Sequence, residues 1–245
     1  MIKIGITERG DASLSNQWVT KLNNGTVSHA IIISKGIAYH KFQKVLMDNM
    51  DKIILHATIT GFGGTSVEKN VPTLTQSLEG LKSLIDMGFD PNRIVLRVDP
   101  IVPTEKGIAT ARSVIDSVCG ETDVRRVKFS VMDNYNHVGA RGLKLPWKGL
   151  NAPEYMVNKL VKNLMHAELI YSLVVESCAE KYSCIPEKWI VGCVSARDFE
   201  TFGVSAKDER LKGQRPACKC LSCKTELLTD MRRCPFGCLY CYWKD

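Results

Sequence analysis

The chain has 245 residues, 44% of them hydrophobic and 24% charged, with a formal net charge of +7. That balance suits a soluble globular protein with a sizeable core, in one large domain or two small ones. No apolar run reaches the roughly 18–20 residues of a membrane span, and "MIKIGITERGDASLS" lacks a signal-peptide apolar stretch, so the reading is cytoplasmic with no membrane partner; the modest positive charge permits an anionic partner without demanding one.

Taken in chain order, short apolar strands alternate with longer helical patterns. Strands are expected at 2–7, 29–34, 52–59, 93–99, 125–131, 170–176 and 225–229. Between them "SNQWVTKL", "KFQKVLMDNM", "TLTQSLEGLKSLIDMG", "GIATARSVIDSV" and "PEYMVNKLVKNLMHAEL" carry apolar residues at helical spacing. Gly88 stands where a helix C-terminus needs a left-handed residue, and Pro91 blocks continuation. Repeated βα units predict a parallel sheet with helices outside it, a partial or full (β/α) TIM-like barrel whose chemistry sits at the C-terminal ends of the strands. A doubly wound open sheet is the alternative. From about residue 178 the pattern becomes turn-rich and cysteine-rich, which divides the chain into barrel units (1–177), a cysteine-rich segment (178–224) and a final strand with a cysteine loop (225–245), all within one integrated domain.

Nine of the ten cysteines lie from Cys178 onward, and only Cys119 precedes them. A disulfide framework would spread over the fold it staples, so clustering at one end of a cytosolic chain points to metal thiolates. The tightest group is "CPFGCLYCYW" (234–243), with Cys234, Cys238 and Cys241 spaced C-x3-C-x2-C. Zinc ribbons usually offer two C-x2-C knuckles instead. Three cysteines in one loop can ligate three irons of a [4Fe–4S] cubane and leave the fourth iron open to a small molecule. Zinc and unliganded thiols are the rival readings. Gly237 gives the loop backbone freedom to converge, and Arg232 and Arg233 could offset thiolate charge or be merely solvated.

The motif, with Tyr240 before its last cysteine, resembles the signature of radical S-adenosylmethionine enzymes. The resemblance implies an open iron that chelates the amino and carboxylate groups of S-adenosylmethionine, and an electron that splits the cosubstrate into methionine and a 5′-deoxyadenosyl radical able to take hydrogen from a substrate. It also implies a small electron donor such as flavodoxin or ferredoxin. Such triplets normally follow the first barrel strand. Here "IIISKG", "HATITGFGG" and "SVEKNVPTLTQSLEGLKSLIDMGFDPNRIVLRVDPIVPT" are similar to the spore photoproduct lyase branch, including Pro100-Ile101-Val102-Pro103. Placing "TELLTD" as the first strand makes the barrel circularly permuted, which neighbouring termini permit. The whole chain also resembles a bacterial and phage family with C-terminal cysteines, sharing its "CAE" segment and upstream C-x-C. Thr7 and Glu8 stand where lyases of that branch keep a cysteine hydrogen donor, so their repair reaction does not carry over.

The related branch implies a carboxylate contact for Lys35 and a role for Glu68. Thr58 and Thr60 alternate on one strand and can present both hydroxyls to the cosubstrate, or be ordinary strand residues. Arg97 and Asp99 share a strand face near its C-terminal end, as catalytic groups or a satisfied ion pair. The loop 132–147 is placed over the active face, with Tyr135 as a catalytic candidate and His137 beside it; each can equally pack within the loop. Arg141, Lys144, Trp147 and Lys148, with the basic stretch 207–233, suggest contact with DNA or RNA and modification of a base. Cys178, Cys193, Cys218 and Cys220 correspond to the upstream cysteines of the similar family and would hold a second [4Fe–4S] cluster, with zinc or no metal as rivals and Cys184 or Cys223 as substitutes. The reading from sequence is a radical enzyme; a non-catalytic zinc- or cluster-bearing nucleic-acid-binding protein is the alternative.

Overall fold

The computed structural model describes residues 3–207, 209–212, 218–229 and 234–242. Arg232 and Arg233, and parts of the basic stretch 207–233, lie outside the described residues. Seven strands form one all-parallel sheet: β1 (Ile4–Ile6), β2 (His29–Ser34), β3 (Ile53–Thr58), β4 (Ile94–Ile101), β5 (Arg126–Val131), β6 (Val174–Ser177) and β7 (Lys224–Glu226). Their order across the sheet is β6-β5-β4-β3-β2-β1-β7. The helices are α1 (Gln17–Asn23), α2 (His40–Met47), α3 (Leu74–Asp86), α4 (Glu105–Glu121), α5 (Asn136–Ala140), α6 (Glu154–Tyr171) and α7 (Ala196–Phe202).

From β1 to β6 each strand lies beside its predecessor, so successive crossovers all step in one direction. Right-handed crossovers then put the connecting helices on one face. A doubly wound sheet reverses direction at a switch point within the strand series, and β1 to β6 do not; only β7 is placed on the far side of β1. The two faces accordingly have different cores. On the helix side Trp18, Leu46, Leu84, Val114 and Leu164 pack against Ile32, Leu55, Leu96 and Val127. On the other side Ile4, Ile6, Ile31, Ile54 and Val95 meet Phe199 and Phe202 of α7, together with Cys193, Val194 and Cys220. The switch of neighbours 31/32, 54/55 and 95/96 between faces is the period of two of a strand. Cover on both faces explains the apolar run Ala30–Ile33 of β2, whereas β5 and β6 put Arg126, Lys128 and Glu176 on the face opposite Val127 and Val175.

Of the expected (β/α) barrel, the structure establishes this seven-stranded parallel sheet with its helices. Among the described residues no strand pairing joins β6 to β7. Residues 190–194 link the two edges instead. Val191 N donates to Ser177 O (2.9 Å), Lys128 Nζ to Gly192 O (3.0 Å) and Leu221 N to Val194 O (3.1 Å). The approach is close at Gly192, where a Cβ would sit 2.6 Å from Cys220 Cα.

One boundary differs from the expectation from sequence. Ile170 and Tyr171 finish α6 rather than open β6, and Ser172, with φ 51°, ends the helix. The short helices α5 and α7 were not expected. Among the described residues no helix is long and apolar enough to cross a membrane.

Candidate metal centre

β7 leads toward the loop that holds Cys234, Cys238 and Cys241, and several segments grip that loop. Asn70 Nδ2 donates to Pro235 O (2.8 Å) and Leu239 N to Val67 O (3.0 Å), both from the stretch after β3. Phe236 stacks on Tyr39 with ring centroids 6.3 Å apart. Gly237 takes φ +59°, the left-handed conformation that a side chain would disfavour. From the β5 side, His137 Nε2 lies 3.1 Å from Cys241 O, and Arg141 donates to the same carbonyl.

Four of the residues expected at the site meet beside this loop. Lys35 Nζ reaches Glu68 Oε1 (2.7 Å) and the Tyr240 hydroxyl (2.8 Å). Thr60 Oγ1 donates to Glu68 Oε2 (2.6 Å), and Tyr240 donates to Glu68 Oε1. Cys238 Sγ lies 4.0 Å from that same Oε1. Glu68 is fully buried, so its charge needs these partners. Thr58 shares the strand face but joins no partner: its buried Oγ1 has none among the described residues. Burial raises the Cys238 thiol to about 12, with Lys35 opposing and Glu68, Cys234 and Cys241 adding to the rise.

Arg97 and Asp99 form a close ion pair, and Ser130 donates to the second Asp99 oxygen. Burial acts to raise the Asp99 pKa, but Arg97 and the Ser130 hydroxyl overcome it and hold the carboxyl below its usual range. Tyr135 stands apart from the Glu68 network. Its hydroxyl donates to Asp133 (3.0 Å) and its ring stacks on His137 at 5.5 Å. Trp147 is only 7% exposed and packs in the helix-side core, so it presents no face for a base to stack on. Thr7 bridges β1 and β2 through Ile33, while Glu8 pairs with Lys224 at 2.5 Å.

His56 on β3 is fully buried, and neither ring nitrogen has a hydrogen-bond partner among the described residues. Burial, then Lys128, Arg97 and Arg126, push its pKa well below 6.5. Below about 6.5 the unfolded imidazole binds a proton that the folded one refuses, so stability drops as the pH is lowered, by up to about 1.4 kcal/mol per pH unit. His56→Leu is expected to flatten that slope. Urea midpoints taken from about pH 7 to about pH 5.5 check it, and equal slopes in the two proteins would count against it.

The second cysteine group is tighter. Cys178 follows β6, Cys193 lies in the linking segment, and Cys218 and Cys220 precede β7. The Sγ atoms of Cys178, Cys193 and Cys220 lie within 4.8 Å of one another. Cys193 Sγ is 3.2 Å from Cys178 Sγ, and Cys218 Sγ is 3.1 Å from Cys220 Sγ. Cys184 and Cys223 stand outside this group. It is a cysteine cluster able to bind a metal ion.

A family model described as a domain of unknown function, DUF1848, matches residues 11–243. The chain belongs to the DUF1848 family. The DUF1848 span contains both cysteine groups and every residue of the Lys35–Thr60–Glu68–Tyr240 network. No curated protein and no solved structure matches the chain.

Sequence reasoning missed the hold of His137 and Arg141 on Cys241, and the role of Asp11. The Asp11 carboxylate accepts from Ser34 Oγ (2.6 Å) and Lys35 N (2.6 Å), tying the loop after β1 to the end of β2. A carbonyl or main-chain contact made across the fold leaves no spacing pattern to read.

Proposed function

We propose that the protein is a radical S-adenosylmethionine enzyme, with Cys234, Cys238 and Cys241 holding a [4Fe–4S] cluster that has one open iron. The observation that carries this reading is the convergence of Lys35, Thr60, Glu68 and Tyr240 beside Cys238. Three thiols suit the group, since three of four irons would take a protein sulfur. The buried Thr58 Oγ1, without a hydrogen-bond partner among the described residues, suits a bound polar cosubstrate as well, because an unpaired buried hydroxyl is costly. When bound, the cluster would supply one electron, received from a small carrier such as flavodoxin or ferredoxin, to split S-adenosylmethionine into methionine and a 5′-deoxyadenosyl radical.

The chain's own groups have assignable roles. The Lys35 ammonium favours the cosubstrate carboxylate and offsets thiolate charge. Glu68 holds Lys35, Thr60 and Tyr240 in place. Thr58 offers a hydroxyl to the cosubstrate. Arg97, Asp99 and Ser130 supply polar groups at the C-terminal ends of β4 and β5, where ligands of parallel sheets bind. The sheet order supports the branch resemblance: β7 lies parallel to β1, so the series read from β7 is a singly wound partial barrel whose first strand leads to the cysteine loop.

The test is anaerobic reconstitution, reduction with dithionite in the presence of S-adenosylmethionine, and assay of 5′-deoxyadenosine. Wild type should form it, and Cys234→Ala/Cys238→Ala/Cys241→Ala should not. Iron-free, zinc-only binding by wild type at the triplet would sink the enzyme reading and favour a metal-bearing binding protein.

A further inference from the structure

We propose that Cys178, Cys193, Cys218 and Cys220 form a mononuclear tetrathiolate zinc site that fastens the linking segment between β6 and β7, rather than the seat of a second cubane. The argument is one of size. Four sulfurs around a single zinc ion at about 2.3 Å stand about 3.8 Å apart. A cubane places each thiolate on a different iron, which spreads the sulfurs well beyond that. Here the Sγ contacts are 3.2 Å for Cys193 with Cys178 and 3.1 Å for Cys218 with Cys220, and Cys178, Cys193 and Cys220 all fall within 4.8 Å. Cys220 joins the two pairs, since its sulfur lies within 4.8 Å of those of Cys178 and Cys193 and 3.1 Å from that of Cys218. Cys234, Cys238 and Cys241 form no such tight group among the described residues.

The surroundings suit a closed structural site. Cys193 and Cys220 are buried. Cys193 N donates to Cys220 Sγ at 3.2 Å, and Lys224 Nζ lies 3.9 Å from the same sulfur. An N–H and an ammonium directed at a sulfur stabilise it as thiolate and offset the net negative charge of zinc with four thiolates. The ligands also bind together what the sheet leaves unpaired: Cys178 at the end of β6, Cys193 beside the Gly192 contact, and Cys218 and Cys220 before β7. Zinc has no redox chemistry, so this site takes no part in electron transfer. The inference stands independently of the proposed enzyme activity.

The test uses the full chain carrying Cys234→Ala/Cys238→Ala/Cys241→Ala, which leaves the upstream group as the remaining tight thiol cluster. Elemental analysis should give one zinc per chain, and X-ray absorption should show a single sulfur shell at about 2.3 Å without a metal–metal neighbour. About four irons per chain with metal–metal scattering would overturn the proposal in favour of a cubane. One iron in place of zinc would overturn it too, as would substoichiometric metal. To locate the ion without a variant that fails to fold, the four cysteines are alkylated before and after chelation. Protection of Cys178, Cys193, Cys218 and Cys220 that a chelator removes supports the site; alkylation of Cys178 and Cys218 at equal rates before and after chelation overturns it.

Discussion

Glu176→Ala should lower the stability of the protein by about 3–5 kcal/mol, the range for removing one partner from a buried ion pair. Glu176 is 2% exposed on the inner face of β6. Its Oε2 faces Arg126 (3.0 Å) and Lys128 (3.3 Å), and its Oε1 faces Arg197 of α7 (3.2 Å). Asp198 Oδ1 forms a second ion pair with Arg126 (2.7 Å), while its other oxygen caps α7 by accepting from Ser195 N (2.7 Å). Alanine at 176 leaves two buried cations sharing Asp198 and one main-chain carbonyl. Burial acts to raise the Glu176 pKa, yet Lys128 and Arg126 hold it below 4.5. Its contribution is therefore complete above about pH 4.5 and is lost as pH falls through the lower folded value. Denaturant midpoints followed by circular dichroism measure the effect near neutral pH, and a loss under about 1 kcal/mol would show that the network does not carry this weight.

The second large effect is expected at Glu68. On the proposed cluster reading, Glu68→Ala should remove most of the iron held by the C-terminal loop after reconstitution, at a stability loss of about 3 kcal/mol. Both carboxylate oxygens are committed, one to Lys35 and Tyr240 and the other to Thr60. Without them Lys35, 14% exposed, loses the carboxylate that positions its ammonium beside the cysteine loop. The main-chain hold of Val67 on Leu239 and the Asn70 bond to Pro235 survive, so the loop stays attached while its polar floor is lost. Tyr240→Phe keeps the Lys35–Glu68 pair and should cost only about 1 kcal/mol, with most iron retained. Iron analysis and denaturant melts on both variants decide it, and a Tyr240→Phe defect as deep as that of Glu68→Ala would refute the ranking.

Much of the architecture was legible because parallel strands covered on both faces are rich in apolar residues, as at Ile53–Thr58, where every residue is buried and four of the six are apolar. Gly88, with φ +103°, ends the α3 region as its position suggested. Boundaries failed where strand-like residues finish a helix, as Ile170 and Tyr171 do. α7 was hidden by its length, although its capping pair Ser195 and Asp198 is readable in hindsight. At the site, Lys35, Thr60, Glu68 and Tyr240 were singled out separately and the fold brings them together. Tyr135 was singled out too, and its hydroxyl donates to Asp133. Trp147 could not be placed from pattern, because an aromatic in a basic loop reads alike whether it faces solvent or core. The grip of His137 and Arg141 on Cys241 depends on a meeting of residues about a hundred positions apart, which no local periodicity encodes.

The pairing of β7 with β1 joins Ile4 to Lys224, nearly the two extremes of the described chain. On the ribosome, β1 therefore emerges with one edge bare and must wait for Lys224–Glu226 to be made before that edge is covered. An uncovered parallel edge invites pairing with another nascent chain, so this fold carries an aggregation risk for the duration of its own synthesis. Cys193, Cys218 and Cys220 and the C-terminal triplet are translated late, close to or after β7. On either metal-site proposal, loading would follow the synthesis of the last cysteine of its group, and a chain terminated before residue 218 would have neither group complete nor the β1 edge paired.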